Sequence, residues 1–182
     1  MSATRTQLTI EDLEQIPDDG MHREILRGEL ILLPPPRYKH TKIAMRLFLS
    51  LNTFVVSRKL GEVLFEGGFR LFHDERTYLQ PDVSFVSTQQ AAAIDPEDYA
   101  AGTPEVAFEI ISPSERAGYI EAKNRAYFEV GAKAVVLVFP ESRQVRVMYP
   151  GGRQRSFVDG ETLSLPEILP GWEIPVAEIF GR

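Results

Sequence analysis

The stretch PEVAFEIISPSERAGYIEAKNRAYFEVGAKAVVLVFP, residues 104–140, reads as strand, helix and strand, and its first strand carries an acid, Glu109, inside an apolar run. Glutamate is seldom buried without a partner, because moving an ionised carboxylate out of water is costly. A period of two places Glu105, Ala107, Glu109 and Ile111 on one face of the strand and Val106, Phe108 and Ile110 on the other. The helix is expected over residues 114–130, stopped by Gly131. At 100° per residue with Lys123 as zero, Val130, Tyr119, Ala126, Tyr127 and Ile120 fall within about 60° on either side. A lysine is therefore centred on the packing face, while Glu121, Arg125 and Glu129 take the opposite side. The short SPS turn folds the helix back over the sheet that contains Glu109, so the lysine and the glutamate can answer one another. KAVVLVFP is apolar throughout, as a central strand covered on two sides should be.

Outward from this stretch, a short helix over residues 9–15 is capped by Thr9, with Glu11 and Asp12 in its first turn. HREILRGELILLP reads as a hairpin turning at Arg27-Gly28. The prolines at 34–36 form a rigid connector. HTKIAMRLFLSLNTFVVSRKLG spaces Ile43, Leu47, Phe48, Leu51, Phe54 and Val55 by threes and fours, which predicts a long amphipathic helix ending at Gly61. EVLFEGGFRLF and TYLQPDVSFVS read as a meander of strands punctuated by Gly67-Gly68 and His73-Asp74. QAAAIDPEDYAAGTP reads as a loop with a short helix. VRVMYPGGRQRSFV is a hairpin around Gly151-Gly152, and the tail LSLPEILPGWEIPVAEIF packs Trp172 on the body. The order of elements predicts an α/β fold at the α+β border, with a mixed β-sheet flanked by helices.

The 182 residues, 43% hydrophobic and 25% charged, suit one globular domain. Residues 1–36 read as an N-terminal helix and hairpin, 37–149 as the core, and 150–182 as a C-terminal hairpin and tail. No apolar run approaches a membrane span, and the N-terminal segment has acids where a signal peptide would be apolar, so a cytoplasmic protein is expected. The chain has no cysteine and three histidines, which excludes disulfides and thiolate sites and points any metal site to oxygen ligands, hence Mg²⁺, Mn²⁺ or Ca²⁺. A net charge of −6 argues against a protein that coats nucleic acid through overall positive charge. The basic segments 37–46 and 56–59 leave room for a local site, although a solvated helix face is the simpler reading of them.

Asp82 follows Pro81 at the mouth of a strand. Two acids and a lysine recur where phosphodiesters are cut: carboxylates hold divalent cations and the lysine orients or deprotonates water and offsets developing charge. The backbone carbonyl of Ile110, next to the second acid, suits a further hard ligand. The alternative on the local pattern is a buried Glu109–Lys123 ion pair with no metal.

Pro81-Asp82, a strand bearing Glu109 and a helix with Lys123 together resemble the PD-(D/E)XK nuclease superfamily, the restriction-endonuclease-like fold. The whole chain is similar to the Uma-two family of small bacterial proteins, long described as a domain of unknown function. The resemblance runs through HREILRGELILLPPP with the following His40, QPDVSFVS, PEVAFEIISPSERAG, Lys123 with Tyr127, VGAKAVVLVFPESRQVRVMYP and the LPGWEIPVAEIF tail. It implies Asp82 and Glu109 as metal ligands, joined by the Ile110 carbonyl, with Mg²⁺ or Mn²⁺ as cofactor. Position 111, where the superfamily pattern places its lysine, is Ile111, so the role passes to Lys123 on the helix.

Glu24 matches a glutamate of the family's N-terminal pattern and by resemblance approaches the site, while the local pattern makes it an exposed hairpin residue. His40 is a candidate phosphate contact, although a lone histidine there is more often a cap or surface residue. His22 and His73 carry no signal. The resemblance implies a metal-dependent endonuclease acting on DNA, with pairing into a homodimer as a further implication. A non-catalytic binding or dimerisation protein that keeps the nuclease fold is the alternative. A carboxylate-pair glycosidase is disfavoured by the lysine beside the acids and by the lack of an aromatic sugar platform.

Overall fold

The computed structural model describes residues 7–17, 19–72 and 75–181, so the turn expected at His73-Asp74 lies outside the described residues. Helix α1 (Ile10–Glu14) begins at Thr9, whose hydroxyl accepts from the Asp12 N–H while the Asp12 carboxylate accepts from the Thr9 N–H. This reciprocal cap satisfies donors that a helix start otherwise leaves free. Strands β1 (His22–Leu26) and β2 (Glu29–Leu33) form the expected hairpin, with Arg27 and Gly28 both left-handed in its turn, as the twist of a two-residue hairpin requires.

Helix α2 (Tyr38–Arg58) buries Ile43, Leu47, Leu51 and Val55. It ends earlier than the sequence suggests: Lys59, at φ 54, takes the left-handed capping position. Gly61 instead opens β3 (Gly61–Phe65), where a Cβ would stand 2.0 Å from the carbonyl oxygen of Val86. Close strand packing, not helix termination, requires that glycine.

The remaining elements are β4 (Phe69–Arg70), β5 (Tyr78–Leu79), β6 (Val83–Ser87), α3 (Thr88–Ala91), β7 (Ala100–Ala101), β8 (Val106–Ile110), α4 (Ala117–Val130), β9 (Ala134–Phe139), β10 (Gln144–Met148), a 3-10 turn (Pro150–Gly152), β11 (Gln154–Phe157), β12 (Thr162–Ser164), β13 (Glu173–Pro175) and α5 (Val176–Phe180). One sheet has the order β11-β10-β9-β8-β6-β3, a second β2-β1-β5-β4-β7, and β12 pairs with β13. Within the first sheet β8 and β9 run parallel, joined by α4, while their other neighbours are antiparallel. The architecture is mixed α/β, as expected.

Two expectations are corrected. The meander is divided between sheets: β3 pairs with β6 in the first and β4 with β5 in the second, because Gly67-Gly68 and Pro81 interrupt the ladder and let the chain cross over. Helix α4 starts at Ala117, three residues later than the sequence suggests. Residues 112–115 form a separate turn, in which the Glu115 N–H donates to the Ser112 carbonyl and the Ser112 N–H donates to the Glu115 carboxylate at 2.5 Å.

The six-stranded sheet separates two apolar layers. Val106, Phe108 and Ile110 face Leu47, Leu51 and Trp172 on one side. Ala107, Val135 and Leu137 face Ala126 and Tyr127 of α4 on the other. Trp172 meets Phe108 edge to face at 6.0 Å and its indole N–H donates to Ser50 Oγ at 3.3 Å, so the tail closes the α2 face. The alternation expected for β8 holds, and it aims Glu109 at α4. Among the described residues no helix is long and apolar enough to cross a membrane.

Candidate active site

Every residue of β8 is buried, so Glu109 needs partners within the protein. Helix α4 supplies them. Tyr119, Lys123 and Tyr127 recur at steps of four, which stacks them along one face of the helix. Lys123 Nζ donates to Glu109 Oε2 at 2.8 Å, and the Tyr127 hydroxyl donates to Glu109 Oε1 at 2.8 Å. Each carboxylate oxygen thus accepts one protein hydrogen bond and keeps a second lone pair free.

The same lysine meets a second acid. Glu24, on β1, is fully buried, and its Oε1 lies 2.9 Å from Lys123 Nζ. It also accepts from the Gln80 N–H at 2.8 Å and from the Tyr119 hydroxyl. The exposed hairpin position expected for Glu24 is therefore corrected. The second sheet packs over α4, and that nonlocal contact removes β1's inward face from water.

Asp82 precedes β6 and lies beside the end of β8. Its Oδ2 accepts from the Ile110 N–H at 2.6 Å, while Oδ1 has His40 Nε2 at 3.4 Å. His40, near the start of α2, is half-buried and not a surface cap. Burial lowers its proton affinity, and the Ile110 backbone, Glu115 and Glu66 oppose that.

Burial dominates the ionisation of the site. It raises Glu109 from the ordinary carboxylate range to about 8; Lys123 works against this, and Glu24 and Asp82 add to it. It raises Asp82 to about 7, opposed by the Ile110 N–H and Lys123 and reinforced by Glu115 and Glu24. For Lys123 burial alone would lower the pKa, but Glu109 and Glu24 outweigh it and hold the ammonium well above its usual value. The phenols of Tyr127 and Tyr119 are raised, by burial first, and remain donors.

One lysine thus stands among three acids, Glu24, Asp82 and Glu109. Burial raises the proton affinity of Asp82 and Glu109 against the pull of Lys123, and each has oxygen lone pairs without a protein donor. Asp82 and Glu109 supply oxygen donors of the kind a hard divalent cation takes. Among the described residues no three His, Asp or Glu side chains converge as a ready-made cation cage. Two carboxylates suit Mg²⁺, which commonly keeps several waters.

Several neighbours escaped the sequence reading. His22 is half-buried, its Nε2 has no hydrogen-bond partner, and burial lowers its pKa against the pull of Glu24. Glu66, Gln80 and Glu115 also border the site. Tyr119 was legible only as part of an apolar stripe, and Tyr127 as part of that stripe and of the resemblance, with no role assigned; the available signal was that buried phenol hydroxyls seek partners.

A family model described as "Uma2: Putative restriction endonuclease" matches residues 10–177. A crystal structure from Anabaena variabilis, described as "a putative nuclease belonging to DUF820", superimposes with a TM-score of 0.81 over 95% of this chain and 97% of that one, at 17% sequence identity. At that identity the likeness establishes the fold. A search of the curated proteins finds no significant match.

Proposed function

The chain belongs to the Uma2 family, and from that membership we propose that it is a metal-dependent endonuclease that hydrolyses phosphodiester bonds in DNA. The observation that carries the proposal is the excess of acid: Glu24 and Glu109, both buried, share one lysine, and Asp82 stands beside the end of β8 with the Ile110 N–H and His40 against it. A purely structural ion pair has no need of the additional carboxylates, which cost desolvation energy.

In this reading Asp82, Glu109 and the Ile110 carbonyl hold Mg²⁺ or Mn²⁺. The cation, when bound, supplies Lewis-acid polarisation of the phosphate and eases the ionisation of water. Lys123, kept as an ammonium by Glu109 and Glu24, orients water and offsets charge on the phosphate rather than removing a proton. Tyr127 fixes the rotamer of Glu109, and Glu24 with Tyr119 fixes the position of Lys123. His40 stands beside Asp82, where it can reach a phosphate oxygen, and exposed Arg37 adds positive charge at the same end of α2.

A non-catalytic reading draws on the fact that both Glu109 oxygens already hold protein donors. Calorimetric titration with Mn²⁺, run beside cleavage assays on duplex, single-stranded and RNA substrates, separates the two. The proposal expects a saturable site and cleavage, both lost in Asp82→Ala with the fold intact. Saturable binding without cleavage of any substrate would favour the non-catalytic reading, and no binding would overturn the metal site itself.

A further inference from the structure

Helix α2 has a second apolar stripe, on the side away from the core. Of the six large apolar side chains exposed among the described residues, four lie on this helix: Tyr38, Met45, Leu49 and Val56. They are not scattered. At 100° per residue they fall within about 20° of one line along the outward face. Lys42 and half-buried Asn52, about 40° to either side of that line, flank it, giving positions 38, 42, 45, 49, 52 and 56, with alternating steps of four and three. That is the spacing of a coiled-coil seam, about 27 Å long at the rise of an α-helix.

We propose that this face pairs with the same face of a second copy of the chain, antiparallel, about a two-fold axis near position 47. The sequence of the seam selects this occupant and this direction. An antiparallel pair sets position 38 opposite 56, 42 opposite 52, and 45 opposite 49, so the pattern is complementary to itself, as an isologous contact must be. Tyr38 meets Val56 and Met45 meets Leu49. Each Lys42 meets the amide of the partner's Asn52, and the two Lys42 ammoniums are separated by about 15 Å along the axis, beyond a physiological Debye length.

A parallel pair would instead oppose Lys42 to Lys42 in the seam, which desolvates like charges against each other. An acidic partner helix is disfavoured because Lys42 is the only charge in the seam. The core-facing residues Ile43, Leu47 and Leu51 are left where they are, so pairing requires no rearrangement of the fold. The contact is independent of the cleavage reading, and an inert dimer would leave it standing.

The test is sedimentation equilibrium of the full chain across micromolar concentrations. The expected result is a species of twice the 20.5 kDa chain mass. Leu49→Glu should weaken the dimer on the order of a hundredfold or more, because each dimer loses two buried leucines and gains two buried carboxylates. Its thermal melt as a monomer should stay cooperative, since position 49 is exposed in the single chain. Asn52→Glu should strengthen the dimer by facing the partner's Lys42. A monomeric wild type, a dimer indifferent to Leu49→Glu, or a dimer weakened by Asn52→Glu would each overturn the proposal.

Discussion

The ammonium of Lys123 lies 2.8 Å from Glu109 Oε2, with both side chains more than nine-tenths buried. Such a pair adds little net stability, because desolvating two ions consumes most of what their attraction returns. Its meaning comes from its surroundings: Glu24 competes for the same lysine, and Asp82, just before β6, adds a further acid beside the end of β8. The site is strained electrostatically in the direction that a cation would relieve.

Removing the lysine should expose that strain. Lys123→Met leaves Glu24 and Glu109 without a counter-charge, and breaking a buried pair from one side costs about 3–5 kcal/mol. The loss should be larger above pH 8, where the wild type has its charged pair and the variant must either bury an uncompensated carboxylate or keep it protonated, than at acidic pH, where Glu109 holds its proton in both. Denaturant unfolding of both proteins at the two extremes measures it; a loss equal at both would detach the cost from charge.

Stability without metal should fall as pH rises. Asp82 and Glu109 bind protons more tightly folded than unfolded, since their pKa values are raised to about 7 and about 8. Their stabilising contribution is complete below the ordinary carboxylate range near 4 and is lost as pH climbs through those raised values. The slope is about 1.4 kcal/mol per pH unit for each proton retained. Melts between pH 4 and 9 with chelator, and again with Mn²⁺, should show the decline and its reversal.

Asp82→Asn should separate stability from activity. The amide oxygen can still accept from the Ile110 N–H, while the charge that burial penalises disappears. The variant is expected to be more stable than the wild type above pH 7 in chelator, to have lost the Asp82 part of the pH slope, and to have lost cleavage. A variant as pH-sensitive as the wild type would show that Asp82 is not the group titrating.

Tyr127→Phe removes one donor from Glu109, for about 1–2 kcal/mol of stability. The carboxylate then holds its proton to still higher pH. Affinity for Mn²⁺ at neutral pH should drop and recover as pH is raised. Titration calorimetry at two pH values reads this directly; a deficit that persists at high pH would point to lost geometry instead.

Glu24→Gln tests positioning. Glutamine can accept from Lys123 but loses the charge that holds the ammonium between two acids. Cleavage is expected to fall on the order of tenfold to a hundredfold, the usual effect of a small misplacement of a reacting group. The pH–rate profile should shift with it, whereas a purely structural role would lower Tm and leave the profile in place.

Much of this was legible in one dimension. The period of two in residues 105–111 put Glu109 on the α4 side, and the helical wheel put Lys123 in the middle of the packing face. The turn between them is too short for the helix to go anywhere but back onto the sheet. Helix boundaries were less secure. Both the end of α2 and the start of α4 were displaced by about a turn or less, because Lys59 could adopt the left-handed cap and Glu115 closed a turn of its own.

By itself the sequence determined the meeting of Glu109 and Lys123, since strand and helix periodicity are local and the connection between them short. Tertiary structure alone decided that Glu24 joins them and that His40 stands over Asp82. Both residues lie far away along the chain, on elements whose exposure depends on which sheet packs over α4 and where α2 begins. Burial is a property of the whole fold, and burial turned an ordinary hairpin glutamate into part of a charged site.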